Sequence, residues 1–288
     1  AAWVYDTSVP EWVQVWTGTV EIPLFGGAGP VNLKDLFDGS QFGGIQPNKI
    51  VFRLVDNAIL GSGTTASAAV ELPDDWPWNP EIELRIGSGA RVTGAGGDGG
   101  KEAFNPGEDG TNNIVQTVAE DGRPGGVAVF AEYGNVSINN SGVIAGGGGG
   151  GGGGGSFTYI LSAGPTGVRV TAAAGSGGGG AGKVGGGTVT SVNTRQNPGP
   201  ESGALLSGGS GGVADSRIAG GGFGHGGDGG GPGQSGRVGV LPDPDPTFAQ
   251  DFRDITSPGL GGAPGSAIDG ASNVTFINRG TIIGSEVN

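Results

Sequence analysis

Few residues in this chain have the types and spacing that could do chemistry. His225 is the sole histidine, so a Ser-His-Asp triad would have to draw on it. It stands in Gly221-Gly222-Phe223-Gly224-His225-Gly226-Gly227-Asp228, where flanking glycines offer no apolar shelter to set its pKa. The same stretch has the outline of a calcium-binding nonapeptide repeat, but Gly226 takes the Asp position and no second copy follows. Gly177 to Lys183 has the spacing of a phosphate-binding loop, yet Val184 stands where a Ser or Thr would hold magnesium. Asp243, Asp245, Asp251 and Asp254 form one acidic cluster, and Glu108 with Asp109 another. Carboxylate pairs can be catalytic or bind calcium, but Pro242, Pro244 and Pro246 make the first cluster read as a stiff, solvated turn. No catalytic residue, no metal site and no cofactor is expected, and the chain reads as a non-enzyme.

The residues suited to binding are apolar and sit in segments between glycine blocks. Phe104 and Ile114 fall in the segment 101–121, and Phe157, Tyr159, Ile160 and Leu161 in 156–174. Arg195 falls in 188–206, and Val240, Leu241, Phe248, Phe252 and Arg253 in 234–257. Exposed aromatic and aliphatic groups beside Arg are the material of binding hot spots. The bland alternative is that they pack on one another and stiffen the loops.

What must hold these segments is glycine. Of 69 glycines, 11 fall in residues 1–92 and 58 in the rest, which sets an expected boundary at residue 93. Ten consecutive glycines, Gly146 to Gly155, follow the strand-like run Val136 to Ala145. Extended glycine chains of the polyproline II type rise about 3.1 Å per residue, so this run would span about 31 Å. Ordering glycine is costly, roughly 1–2 kcal/mol per residue or slightly more. A lone rod would melt, and lateral hydrogen bonding between glycine backbones is what could offset the cost. A flexible Gly/Ser linker is the alternative, but it gives no reason for several blocks separated by ordinary sequence. The blocks are therefore expected to bundle, with the intervening segments as end loops.

The remaining composition narrows the classes. A net charge of −13 argues against nucleic acid or an anionic membrane as partner. The chain has no Cys, hence no disulfide framework or zinc-thiolate site. With no Met at position 1, it is expected to be a processed product or a C-terminal piece of something longer.

Residues 1–93 read as a β-rich attachment or base domain, with strand-like runs at 12–16, 19–25, 50–55 and 68–72 and one short helix at 30–37. Trp76 and Trp78 are expected to cap its core. A repeat then marks the borders of the glycine region: Ile82 to Gly94, Val136 to Gly146 and Val274 to Gly284. Each is an alternating strand, a polar corner holding Gly89, Gly142 or Gly280, and a second β-branched strand, as in stacked β-arches. The expected fold is mainly β plus polyglycine II. It comprises the β-rich domain, stacked arches, and a glycine-rich domain at 94–288 whose polyglycine II helices carry end loops at 101–121, 156–174, 188–206 and 234–257.

Val136 to Gly155, a strand running through Asn139-Asn140-Ser141-Gly142-Val143-Ile144-Ala145 into polyglycine, closely resembles the tip adhesins of T-even phage long tail fibres. The ending Asn278-Arg279-Gly280-Thr281-Ile282-Ile283-Gly284 is similar to that family's. Val31 to Leu36, Ile50 to Leu54 and Ile82 to Gly100 resemble a module preceding glycine-rich tips in siphophage tail proteins. The resemblance covers roughly residues 30–288. It implies a polyglycine II sandwich at the distal tip of a virion's tail or tail fibre, whose loops bind a porin-like outer-membrane protein or lipopolysaccharide of a Gram-negative host. It also implies a tail-fibre or tail-tip protein as partner on the N-terminal side, and no nucleic acid. Residues 1–29 match no part of the family's attachment domain, and monomer and homotrimer stay open. The alternatives are a glycine-rich bacterial surface protein, an ice-binding bundle and a tail-associated glycan-degrading enzyme.

Overall fold

The computed structural model describes residues 2–6, 11–15, 18–28, 30–37, 46–103, 118–161, 168–172, 175–182, 200–213, 224–241 and 252–288. The chain is β-rich, and its one described helix is the single 3-10 turn Ala271–Asn273. Strands β1 (Ala2–Asp6) and β2 (Glu11–Val15) form an antiparallel hairpin by themselves. The chain then coils, each turn giving one strand to each of three parallel sheets. The first turn holds β3 (Thr19–Leu24), β4 (Gly27–Ala28) and β5 (Val31–Asn32). The second holds β6 (Lys49–Leu54), β7 (Ile59–Gly61) and β8 (Val70–Leu72). In the third, β9 (Glu81–Ile86) and β10 (Arg91–Thr93) precede a glycine-rich excursion that returns at β11 (Val129–Ala131).

The fourth turn begins with β12 (Val136–Asn140) and β13 (Val143–Ala145), and a second, longer excursion follows. That excursion contains β14 (Ser156–Leu161), β15 (Val168–Ala172) and β16 (Phe252–Thr256). It rejoins the coil at β17 (Ile268–Asp269), and β18 (Val274–Asn278), β19 (Thr281–Ile283) and β20 (Glu286–Val287) form the last turn. The three sheets run β3-β6-β9-β12-β18, β4-β7-β10-β13-β19 and β5-β8-β11-β17-β20. Strands from both sides of residue 93 therefore share each of these three sheets.

Alternation sets this register. Ile50, Phe52 and Leu54 pair in register with Ile82, Leu84 and Ile86, and these with Val136, Ile138 and Asn140. All nine are buried in rows inside the coil. Each large side chain contributes roughly 1.5–3 kcal/mol, and a one-residue slip would turn a whole row to water. Gly89 (φ 68°) and Gly280 (φ 51°) occupy the corners of two turns in the left-handed region, where glycine is favoured. Trp76 packs against Phe52 and Tyr133 at ring distances of 6.3 and 6.2 Å, while the Trp78 indole N–H donates to the Pro47 carbonyl at 3.0 Å.

The short helix expected at 30–37 does not form. The Val31 and Leu33 amides donate to the Ala69 and Glu71 carbonyls, both at 3.0 Å. The backbone thus joins the ladder as β5 and closes in a turn, with Phe37 N–H reaching Lys34 O. Tertiary pairing overrides local propensity here.

In the excursions the glycine segments lie side by side, hydrogen-bonded at three-residue steps, with the ten-glycine run in the middle. Gly147, Gly150 and Gly153 donate to the carbonyls of Gly126, Arg123 and Glu120; Gly148, Gly151 and Gly154 to Ala181, Gly178 and Gly175; Gly149 and Gly152 to Gln234 and Arg237. The carbonyls of Gly148, Gly151 and Gly154 accept from Gly97, Gly100 and Ala103; those of Gly149 and Gly152 from Gly230 and Gly227; those of Gly147, Gly150 and Gly153 from Gly265, Gly262 and Gly259. These bonds measure 2.7–3.0 Å and tie the run to six neighbouring segments. A Cβ on Gly150 would sit 1.9 Å from Asp98 O, and one on Gly153 1.8 Å from Lys101 O. Backbones this close leave no room for any side chain.

Candidate functional site

The segments leave the coil at Gly94 and Gly146, whose amides donate to Ala145 O and Ile283 O. Their other end lies near Ala103, Gly154 and Gly175, where Ala103 N–H reaches Gly154 O and Gly154 N–H reaches Gly175 O. At this far end β14 pairs antiparallel with both β15 and β16. The resulting sheet joins two of the expected loops across a long stretch of sequence.

That pairing collects several expected binding residues. Phe157, Tyr159, Ile160 and Leu161 lie on β14, and Phe252 and Arg253 on β16. Tyr159 stands in register with Phe252, and Thr158 with Arg253. On the other side Phe157 pairs with Ala172, Tyr159 with Val170 and Ile160 with Arg169. Val240 and Leu241 arrive at the foot of this sheet: Val240 N–H donates to His225 O at 2.7 Å, and Leu241 Cδ2 lies 2.7 Å from where a Cβ on Gly155 would be. Both are exposed, at 50% and 39%. Phe104, Ile114, Arg195 and Phe248 lie outside the described residues, as do Asp243, Asp245, Asp251, Glu108 and Asp109.

Val118, Val238, Ile255 and Leu260 are further exposed aliphatics that were not among the expected binding residues. Val238 and Leu260 fall opposite one another on two antiparallel segments, which are joined by Gly239 N–H to Gly259 O and Gly236 N–H to Gly262 O. The available signal was a single large apolar residue interrupting a glycine block, at a position where the lattice faces water.

The other motifs carry no site geometry. Gly177 and Gly180, in the phosphate-loop-like stretch, spend their amides on Gly100 O and Gly97 O, so they have none to offer a phosphate. Asp228 accepts from Gly211 N–H at 3.1 Å and faces Arg237 at 3.3 Å. Among the described residues no group of three or more His, Cys, Asp or Glu side chains is placed to hold a metal. A hollow of about 330 Å³, lined by Thr65, Glu71, Phe130, Glu132 and Asp269, opens on the coil rather than at the bundle's far end.

A family model described as phage tail fibre adhesin Gp38 matches residues 22–287. No curated protein matches the chain. Among solved structures, the crystal structure of the gp37-gp38 adhesin tip complex of the bacteriophage S16 long tail fibre is similar. It shares 22% identity over 94% of this chain and 82% of that one, with a TM-score of 0.51.

Proposed function

Because this chain belongs to the phage tail fibre adhesin Gp38 family, we propose that it sits at the distal tip of a virion's tail fibre and binds the outer membrane of a Gram-negative host through its far end. The observation that carries this reading is the six-neighbour hydrogen bonding of Gly147–Gly154. A three-residue cycle of donors and acceptors is what polyglycine II helices in lateral packing require. We therefore read the excursions as a polyglycine II bundle growing out of stacked β-arches. A bundle whose central glycines hydrogen-bond to one another has its specificity in what interrupts it, as loops on any fixed scaffold do.

The division at residue 93 becomes one of labour. The coil, seeded by residues 1–93, faces the fibre protein on the N-terminal side, and the glycine-rich part faces the host. The S16 structure, a complex of gp37 with gp38, supports a tail-fibre partner for the coil. A host protein of the porin kind suits the far end better than lipopolysaccharide does. The chain is strongly acidic, at −13, and would be repelled by a phosphate-bearing surface. Exposed Val240 and Leu241 suit short-range apolar contact with protein.

Replacing residues 156–174 and 234–257 together by the equivalent segments of a family member with another host tests this. The expected result is adsorption that follows the transplanted segments. Unchanged adsorption to the original host would remove the reading, and release of sugar fragments from host polysaccharide would replace it with an enzymatic one.

A further inference from the structure

We propose that Glu102 and Ser176 form a buried key that fixes the axial register of segment 175–182 against segment 94–103, and with it the height at which β15 is presented. The need for a key follows from the hydrogen bonds themselves. Segment 94–103 donates to the central run at Gly97, Gly100 and Ala103, which reach Gly148, Gly151 and Gly154. Segment 175–182 runs antiparallel to it, Gly177 N–H reaching Gly100 O and Gly180 N–H reaching Gly97 O. A slide by three residues re-forms the same kind of bond with the next glycine along. In the coil, side-chain alternation forbids such a slip. Gly94 ties segment 94–103 to the coil, but the glycines of 175–182 carry no mark that distinguishes one setting from the next.

Side chains buried between the segments supply the mark. Glu102 is 1% exposed and Ser176 is fully buried, and the Ser176 hydroxyl donates to Glu102 Oε2. The pairing of Gly177 with Gly100 puts Ser176 opposite the Lys101–Glu102 step. A three-residue slide would leave the Glu102 side chain facing glycine backbone in place of a hydroxyl. The slide gives up this buried hydrogen bond, which is unfavourable, so the correct setting is selected against its neighbours. A single buried polar residue selects register in coiled coils by the same logic.

The position gives the key its consequence. Glu102 precedes Phe104 by two residues, and Ser176 closely follows β15. Ser156 and Thr256, the first paired residues of the far-end sheet, are buried as well. Glu102 and Ser176 act on binding as positioning residues, and this consequence rests on the host-binding reading above.

The test uses the full chain, whose lack of cysteine allows spin labels at cysteines replacing exposed Ser210 and Thr275. Ser210 rides on a segment bonded to 175–182 through Gly212 N–H to Ser176 O, while Thr275 belongs to the coil. The otherwise native chain should give one distance. Glu102→Ala and Ser176→Ala should add a second population displaced by up to about 9 Å, three residues of rise. Host adsorption should fall by up to about tenfold, as for one lost buried hydrogen bond. Glu102→Gln, which can still accept from Ser176, and the exchange Glu102→Ser with Ser176→Glu should restore the single distance. If Glu102→Ala fails to fold, Ser176→Ala and the exchange carry the test. A single undisplaced distance in Ser176→Ala, or an exchange that does not rescue, would overturn the key. Displaced distances with unchanged adsorption would uphold the key and overturn the host-binding reading.

Discussion

The coil and the glycine bundle solve the same problem with opposite materials. In the coil, rows such as Phe52-Leu84-Ile138 are stacked by parallel pairing and kept inside by alternation. The outer face carries a lattice of charge: Lys49 meets Glu81 at 2.7 Å and Glu83 at 2.9 Å, Arg85 meets Glu83 at 3.0 Å and Glu21 at 3.3 Å, and Arg53 meets Glu21 at 3.5 Å. Information there lies in side chains. In the bundle the interior has almost none, and cohesion comes from main-chain hydrogen bonds between backbones that glycine alone lets approach. The coil should therefore suffer from shrinking a residue and the bundle from enlarging one.

That contrast can be broken most forcefully from the coil side. Phe52→Ala removes a fully buried ring and should cost about 3–5 kcal/mol, read as a lower midpoint in denaturant titration followed by tryptophan fluorescence. A neutral result would mean that the rows do not hold the coil. Next in size, Gly150→Ala adds one methyl where backbone atoms stand 1.9 and 2.4 Å away. Overpacking of this kind should cost about 1–3 kcal/mol or more. Hydrogen exchange should show it as faster exchange of Gly147–Gly154 with the coil strands unchanged. Equal loosening of coil and bundle would contradict their separateness.

Much of this contrast was legible in the chain before folding. Alternation at Lys49–Leu54 and Glu81–Ile86 announces strands, and a ten-glycine run after β-branched residues announces a packed rod. Other features leave no local trace. The turn at Leu33 is decided by a carbonyl on β8. The register of Tyr159 with Phe252 joins segments whose sequences say nothing of each other. Glu102 falls within the expected loop 101–121, and its burial comes from segments that converge on it from distant parts of the chain.

A smaller effect concerns pH. Burial works to raise the pKa of Glu83, but hydrogen bonds from Lys49 and Arg85 outweigh it and hold the carboxyl below its ordinary 4.5. The hydrogen bond to Glu81 leads the effects that raise Lys49 above 10.5. A depressed carboxyl stabilises the fold fully above the unfolded value and loses that contribution as pH falls through the folded one. The melting temperature should thus fall as pH drops below 4.5, less steeply in Glu83→Gln. Parallel profiles for the two proteins would show that the charge lattice is idle.

The smallest expected effect lies on the bundle's flank. Val238 is 50% and Leu260 60% exposed, so replacing each with Ser should change stability by no more than about 0.5 kcal/mol. A larger loss in calorimetry would mean that the bundle's surface is packed as its interior is.

In the proposed function the coil carries the bundle and the bundle's far end meets the host. Hydrogen–deuterium exchange of the chain, free and bound to host outer-membrane vesicles, tests it directly. Binding should protect 156–161, 168–172 and 252–256 and leave β3 to β13 unchanged. Protection confined to the outer faces of the coil would contradict it.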